Sequence, residues 1–149
     1  MLRAVSGHLH RSLAATAIDR AALGSVGAGA VAARRFAAEA DSSVVEIKDS
    51  KHFDDLVTNE PRKLAVVDFT AVWCGPCRVI APVYAALSKA HPEVTFTKVD
   101  IDNADVRSVV EKHQVTGVPT FVFYKGGKQI NSFTGVQRDK LLQLIEQHK

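Results

Sequence analysis

The stretch AVWCGPCRVI, from Ala71 to Ile80, contains both cysteines of this 149-residue chain and decides how the chain is interpreted. Cys74 and Cys77 are separated only by a glycine and a proline, and an apolar run precedes them. A chain of this length can bury a core without disulfides or a structural metal. A disulfide that closes so short a loop also constrains the unfolded chain little. The cysteine pair therefore indicates chemistry rather than stabilisation.

The basic character of the chain is confined to residues 1–36. The formal net charge is +3, yet these residues hold five arginines against a single acid, Asp19. Residues 37–149 hold 14 Lys and Arg against 15 Asp and Glu. The body of the chain is therefore close to neutral, and its charge does not indicate binding to nucleic acid.

This basic leader has the pattern of an organellar transit peptide, because it is rich in Ala, Gly and Arg and almost free of acid. Its end, ARRFAAEA (Ala33–Ala40), resembles the mitochondrial processing pattern, with a cut between Phe36 and Ala37. We expect residues 1–36 to be a transit peptide that is removed. Residues 37–149 are then expected to form one domain that works in the mitochondrial matrix.

Three other interpretations of the leader stay open. A plastid transit peptide has a similar composition, and so has a disordered tail. A secretory signal would use Ala21–Ala33 as its apolar stretch, although that run is mostly Ala and Gly. The run is too short and too weakly apolar to span a bilayer, so we expect no membrane anchor.

The body alternates strand-like and helix-like segments in the order βαβαβαββα, which predicts an α/β fold. Alternation at the start predicts parallel strands with helices on both faces of the sheet, and a late hairpin adds antiparallel strands. The predicted strands cover Ser43–Ile47, Lys63–Thr70, Val94–Asp100 and two segments around Gly126 and Gly127. The predicted helices cover residues 49–59, Cys74 to His91, Ala104–His113 and Arg138–Gln147.

The motifs of this body are similar to those of the thioredoxin family. WCGPC (Trp73–Cys77) follows a predicted buried strand and opens a helix, and VPT (Val118–Thr120) precedes the hairpin. The resemblance runs from about Ser43 to the C-terminus and implies a thioredoxin fold with a central mixed sheet. FTAVWCGPCRVIAPV (Phe69–Val83) and TKVDIDN (Thr97–Asn103) resemble plant and algal thioredoxins, and together with the leader they favour the mitochondrial o-type.

The resemblance implies a protein-disulfide reductase that works by dithiol–disulfide exchange, with Cys74 as nucleophile and Cys77 as resolving thiol. Cys74 is predicted at the first turn of a helix, where unpaired N–H groups and the helix dipole favour the thiolate and lower its pKa. Cys77, one turn further along, is predicted to be the more buried. Gly75 allows close approach of a partner, and Pro76 lacks a donor that a helix start would leave unpaired.

Asp68 interrupts the apolar run LAVVDF, and burial should raise the pKa of its carboxyl group. The resemblance implies that this is the buried family acid that assists deprotonation of the resolving Cys77. Lys98 matches the lysine that lies beside that acid, although an ordinary surface lysine is an alternative.

Pro119 could simply begin a strand. Its place in GVPT matches the cis-proline that family members hold beside the cysteines, where the backbone of Val118 pairs with an extended target. Trp73, Gly117 and Gly135 complete an apolar surface around Cys74 on which target polypeptides are expected to dock.

The resemblance also implies the electron source and the partners. It predicts no bound cofactor, since electrons come from NADPH through a flavoprotein thioredoxin reductase and pass to disulfide-containing target proteins. We expect a monomer and no metal site, because zinc needs further ligands and the six histidines show no ligand spacing around the pair. A thioredoxin-fold binding or chaperone module and a glutathione-driven, glutaredoxin-like reductase are the alternatives.

Overall fold

The computed structural model describes residues 43–60 and 62–149, and these form a five-stranded mixed sheet. The strands are β1 (Val45–Glu46), β2 (Ala65–Thr70), β3 (Thr95–Asp100), β4 (Thr120–Lys125) and β5 (Lys128–Thr134). Their order across the sheet is β1-β3-β2-β4-β5. The first three strands are parallel, whereas β4 runs antiparallel to β2 and β5 antiparallel to β4. The predicted parallel start and antiparallel hairpin are therefore confirmed.

All four predicted helices are present. They are α1 (Ser50–Phe53), α2 (Gly75–Ala90), α3 (Arg107–Lys112) and α4 (Arg138–His148). The first predicted helix differs in detail, because α1 continues as a π-helical turn over Asp54–Thr58. The third begins as a 3-10 turn over Ala104–Val106. Apolar spacing predicts which face of a segment is buried, but it does not distinguish these helix types.

Two apolar clusters pack on opposite faces of the sheet. Successive residues of β2 point to opposite faces, so Val66 enters one cluster while Val67 and Phe69 enter the other. The first cluster covers the face under α2 and α4 and includes Ile80, Tyr84, Leu141, Leu144 and Ile145. The second covers the face under α1 and α3 and includes Phe53, Val57, Val106 and Val109. The predicted placement of helices on both faces is confirmed.

The connection from β2 to α2 places the cysteines at one edge of the sheet. β2 ends at Thr70 and α2 begins at Gly75, so Cys74 lies just beyond the carboxyl end of a central strand. Phe69 pairs with Thr120 at the start of β4, which brings the preceding Val118 and Pro119 to the same edge. The short connection from β2 to α2 and the antiparallel pairing of β2 with β4 therefore bring the cysteines, Val118 and Pro119 to the same edge of the sheet.

The leader and the predicted cut after Phe36 lie outside the described residues, as do the first residues of the predicted domain 37–149. Those predictions stay predictions. Of the helices that the structure does describe, none is both long and apolar enough to cross a membrane.

Candidate functional site

Cys74 and Cys77 form a disulfide at the N-terminus of α2, with an S–S distance of 2.10 Å. Cys74 is the N-cap residue, and its Sγ accepts a hydrogen bond from the Cys77 backbone N–H at 3.1 Å. Gly75 and Pro76 occupy the first helical turn, as predicted. When the disulfide is reduced, the unpaired N–H groups and the positive end of the helix dipole favour a negative charge on Cys74.

Burial does not distinguish the two cysteines. Each residue is 3% exposed, so the prediction that Cys77 is the more buried is wrong at the level of the whole residue. Their surroundings differ instead. Cys74 caps the helix, whereas Cys77 lines a cleft between α2 and the sheet that also contains Asp68. The two thiols therefore differ in the groups around them.

Asp68 is buried in that cleft, and its Oδ1 has no hydrogen-bond partner within the described ranges. Burial raises the pKa of its carboxyl group to about 7, although the positive charge of Lys98 acts in the opposite direction. Cys77 and Asp68 both line this cleft, and its volume of about 750 Å³ is large enough to admit water. The predicted acid with a raised pKa is therefore present in the cleft that Cys77 also lines.

Lys98 lies next to Asp68, as predicted, because the two residues are in register on the parallel strands β3 and β2. Its ammonium group pairs with Glu46 on β1, at 3.3 Å. The sequence did not point to Glu46. The signal needed to find it was the pairing register of β1 with β3, which a residue pattern does not contain.

The predicted docking residues Val118 and Pro119 lie at the same edge of the sheet as the cysteine pair. The Val118–Pro119 peptide bond is cis, and the Val118 side chain packs against the buried cluster of Ala71 and the two cysteines. The Gly135 N–H donates to the Pro119 carbonyl at 2.8 Å, which joins the two loops that carry these residues.

Trp73 projects into solvent beside this cluster and is 65% exposed. Its indole Nε1–H donates to the Oδ2 atom of Asp102 at 2.7 Å. Sequence reasoning missed Asp102, because this contact joins two loops that are distant in the chain. The neighbouring Val72 is 80% exposed and extends the apolar surface.

Metal ligands do not cluster at the site. In the part of the chain that the structure describes, no group of three or more His, Cys, Asp and Glu side chains is placed to hold a metal ion.

Comparisons with known proteins agree with this geometry. The family model described as Thioredoxin matches residues 43–147. Thioredoxin H3 of Arabidopsis thaliana is 45% identical over 91 residues, which are 61% of this chain and 75% of that protein. The solved thioredoxin of Fasciola hepatica has a TM-score of 0.66 and 44% identity, covering 70% of this chain and 99% of that one.

Thioredoxin O1 from Arabidopsis thaliana, solved in the oxidized state, has a TM-score of 0.65 and 40% identity. That comparison covers 70% of this chain and 96% of the other. The present chain belongs to the thioredoxin family and is a thiol–disulfide oxidoreductase that reduces protein disulfides.

Proposed function

We propose that Cys74 is the attacking thiolate of this reductase and Cys77 its resolving thiol. The observation that carries the proposal is the position of Cys74 as the N-cap of α2, with the Cys77 N–H directed at its Sγ. Backbone donors and the helix dipole stabilise a thiolate at this position relative to the neutral thiol. Cys77 follows one helical turn later, within bonding distance of the same sulfur.

The reaction takes place in two exchanges. The Cys74 thiolate attacks one sulfur of a target disulfide, so that a mixed disulfide forms and the second target sulfur leaves as a thiolate that takes up a proton. Cys77 then loses its proton and attacks the Cys74 sulfur. The Cys74–Cys77 disulfide forms, the mixed disulfide breaks, and the first target sulfur leaves as a thiol. The target gains two electrons and two protons. Both electrons and one proton come from this chain, and the second proton comes from solvent, which balances the proton that Cys74 released when it formed its thiolate.

Asp68 accepts the proton of Cys77 in the second exchange. Its carboxyl group has a pKa of about 7, so its charged form is a better base near neutral pH than an ordinary carboxylate. Both residues line the cleft, whose volume admits water as a bridge. Lys98 adjusts the basicity of Asp68 from the adjacent strand.

Targets dock on the surface formed by Trp73, Gly75, Pro76 and Val118. Trp73 provides exposed apolar area beside the disulfide, and the absence of a side chain at Gly75 lets a second chain approach. The Val118 backbone provides a place where an extended target strand can pair.

Electrons reach the Cys74–Cys77 disulfide from NADPH through a thioredoxin reductase, and no cofactor is bound by this chain. The partners are that reductase and the disulfide-containing targets, and the chain itself acts as a monomer. Membership of the thioredoxin family supports this route.

The protein works in the mitochondrial matrix as an o-type thioredoxin. The Arg-rich leader with its pattern ARRFAAEA supports the destination, and the likeness to thioredoxin O1 supports the subtype. A fusion of residues 1–40 to a fluorescent protein tests the destination. We expect the fusion to be imported into mitochondria. Import into plastids would instead support the alternative that the leader is a plastid transit peptide.

NADPH-driven reduction of insulin by the full chain tests the roles of the cysteines. We expect turnover with thioredoxin reductase, its loss in Cys74→Ser, and accumulation of mixed disulfides in Cys77→Ser. Equal trapping by the two variants would overturn the assignment. Turnover only with glutathione and glutathione reductase would favour a glutaredoxin-like enzyme, and turnover with neither source would favour a binding or chaperone module.

A further inference from the structure

Three charged side chains form a row across the parallel strands at the cleft. Glu46 on β1 is in register with Lys98 on β3, and Lys98 is in register with Asp68 on β2. Side chains that are in register on neighbouring parallel strands point to the same face of the sheet. All three residues line the cleft that contains Cys77. The row therefore faces the resolving thiol.

The central lysine is paired with only one of its two carboxylate neighbours. Lys98 Nζ lies 3.3 Å from Glu46 Oε2, an ion-pair distance. Among residues 43–60 and 62–149, Asp68 forms no ion pair comparable to the one between Lys98 and Glu46, and its Oδ1 lacks a hydrogen-bond partner. Glu46 thus holds the positive charge on the side of Lys98 that is remote from Asp68.

Other ionisable groups also face Asp68 across the cleft. The titratable and charged residues that line it are Glu46, Cys77, Arg78, Tyr84, Lys98 and Asp100. The Tyr84 hydroxyl is directed at the backbone carbonyl oxygens of Val66 and Thr97, both at 2.9 Å. Among these groups, Glu46 is the one whose carboxylate competes directly with Asp68 for the Lys98 ammonium group.

We propose that Glu46 is a positioning residue for proton transfer in this reductase: it pairs with Lys98 and so preserves the basicity of Asp68. This inference rests on the proposed role of Asp68 as proton acceptor for Cys77. If Lys98 turned fully towards Asp68, the ammonium group would stabilise the carboxylate and weaken it as a base. Glu46 prevents this because it offers Lys98 a more solvent-exposed carboxylate, which costs less desolvation.

Replacement of Glu46 by glutamine has two effects on Asp68 with the same sign. The neutral amide releases Lys98, which can then turn to Asp68, and it also removes a negative charge from the row. Both changes favour the charged form of Asp68. In Glu46→Gln, we therefore expect the pKa of Asp68 to fall by about 0.5–1 pH unit, since the charges are partly exposed to solvent.

The test is a pH titration of the Asp68 carboxyl carbon by NMR, on the oxidised full-length chain, in wild type and Glu46→Gln. Glu111→Gln is the matched control, because Glu111 is exposed on α3, which covers the opposite face of the sheet. We expect a lower Asp68 pKa in Glu46→Gln and no change in Glu111→Gln. An unchanged Asp68 titration in Glu46→Gln would overturn the inference.

A second pair of variants tests whether Glu46 acts through Lys98. In a Lys98→Gln background no ammonium group is left to redirect, so Glu46→Gln should lower the Asp68 pKa by less than it does in the wild-type background. An equal decrease in both backgrounds would show a direct effect of Glu46 and overturn its positioning role. These titrations need no turnover, so they separate this inference from the proposed function. Failure to reduce insulin would contradict the proposed function. An unchanged pKa of Asp68 in Glu46→Gln would contradict only the role of Glu46.

Discussion

At the scale of single residues, the orientation of Trp73 depends on one polar contact. The indole Nε1–H donates to Asp102 Oδ2 at 2.7 Å, while most of the ring is exposed to solvent. An exposed aromatic ring without such a partner samples several rotamers, and ordering it on binding costs free energy. Asp102 therefore restrains Trp73 within the proposed docking surface.

We predict that Asp102→Ala increases the motion of Trp73 and lowers kcat/KM for insulin about 2–5-fold, which corresponds to about 0.5–1 kcal/mol of lost preorganisation. Asp102→Asn keeps an acceptor oxygen and should retain most of the activity. Trp73 is the only tryptophan in the chain, so fluorescence anisotropy reports its motion directly. The measurement is the anisotropy of each reduced variant together with its insulin kinetics.

Asp105→Ala provides the control for the lost charge, because Asp105 is an exposed acid in the 3-10 turn that follows the loop of Asp102. Both the anisotropy and kcat/KM should stay at wild-type values in this control. Unchanged anisotropy in Asp102→Ala would contradict the proposed restraint on Trp73.

At the scale of elements, the hairpin between β4 and β5 contains two glycines with different constraints. Gly126 and Gly127 both have positive φ angles, of 64° and 71°. A Cβ atom added at Gly126 would meet nothing within 4 Å, whereas one added at Gly127 would lie 2.6 Å from the backbone oxygen of Thr58. The hairpin therefore packs directly on the end of the π-helical turn that follows α1.

We predict that Gly127→Ala destabilises the protein by about 1–3 kcal/mol more than Gly126→Ala. Alanine at either position is strained by the positive φ, but only in Gly127→Ala does the added Cβ also clash with the backbone oxygen of Thr58. Urea unfolding of the two oxidised variants measures the difference in their free energies of unfolding. Equal destabilisation would show that the contact with Thr58 relaxes at no cost.

Sequence patterns predicted the features that can be recognised within a single segment, such as a charged residue in an apolar strand. Asp68 was identified because a carboxyl group within an apolar run requires an explanation, and the structure places it buried beside Cys77. Glu46 and Asp102 were missed because their importance depends on strand register and on a contact between loops. Neither of these is encoded in the periodicity of one segment.

At the scale of the whole molecule, the two faces of the sheet contain ionisable groups, one buried and one half-buried, that make stability depend on pH in opposite directions. Asp68 lies on the face under α2 and α4, and burial raises its pKa from 3.8 to about 7. Between these values the folded chain keeps a proton that the unfolded chain has lost. Its contribution to stability therefore falls as the pH rises from about 4 to about 7.

His113 lies on the other face, against the rings of Phe53, Phe69 and Tyr124. Its Nδ1 contacts the Val109 carbonyl at 2.6 Å and its Nε2 contacts the Tyr124 hydroxyl at 2.5 Å. A neutral ring satisfies both contacts, with Nδ1–H donating and Nε2 accepting. Burial lowers the pKa of His113, so the unfolded chain binds a proton more readily, and stability is lost as the pH falls below about 6.5.

We predict that Asp68→Asn removes the loss of stability that occurs as the pH rises from about 4 to about 7, whereas His113→Gln removes part of the loss that occurs as the pH falls below about 6.5. Relative to wild type, Asp68→Asn should be more stable at pH 8 than at pH 4 by a difference on the order of 4 kcal/mol, from the displacement of one carboxyl pKa. The cost of burying the neutral amide does not depend on pH, so it cancels when the stability differences at the two pH values are subtracted. Denaturant unfolding of the oxidised protein is suitable because the disulfide-bonded cysteines do not titrate.

The exposed Asp105→Asn is the control for the loss of a surface carboxyl group. A pH-independent difference for Asp68→Asn would mean that the Asp68 carboxyl group has the same pKa in the folded and the unfolded chain, near its ordinary value of 3.8. In that case Asp68 would be too weak a base near neutral pH to take the proton of Cys77. The pH dependence of stability therefore tests the same carboxyl group that the mechanism requires, without any measurement of catalysis.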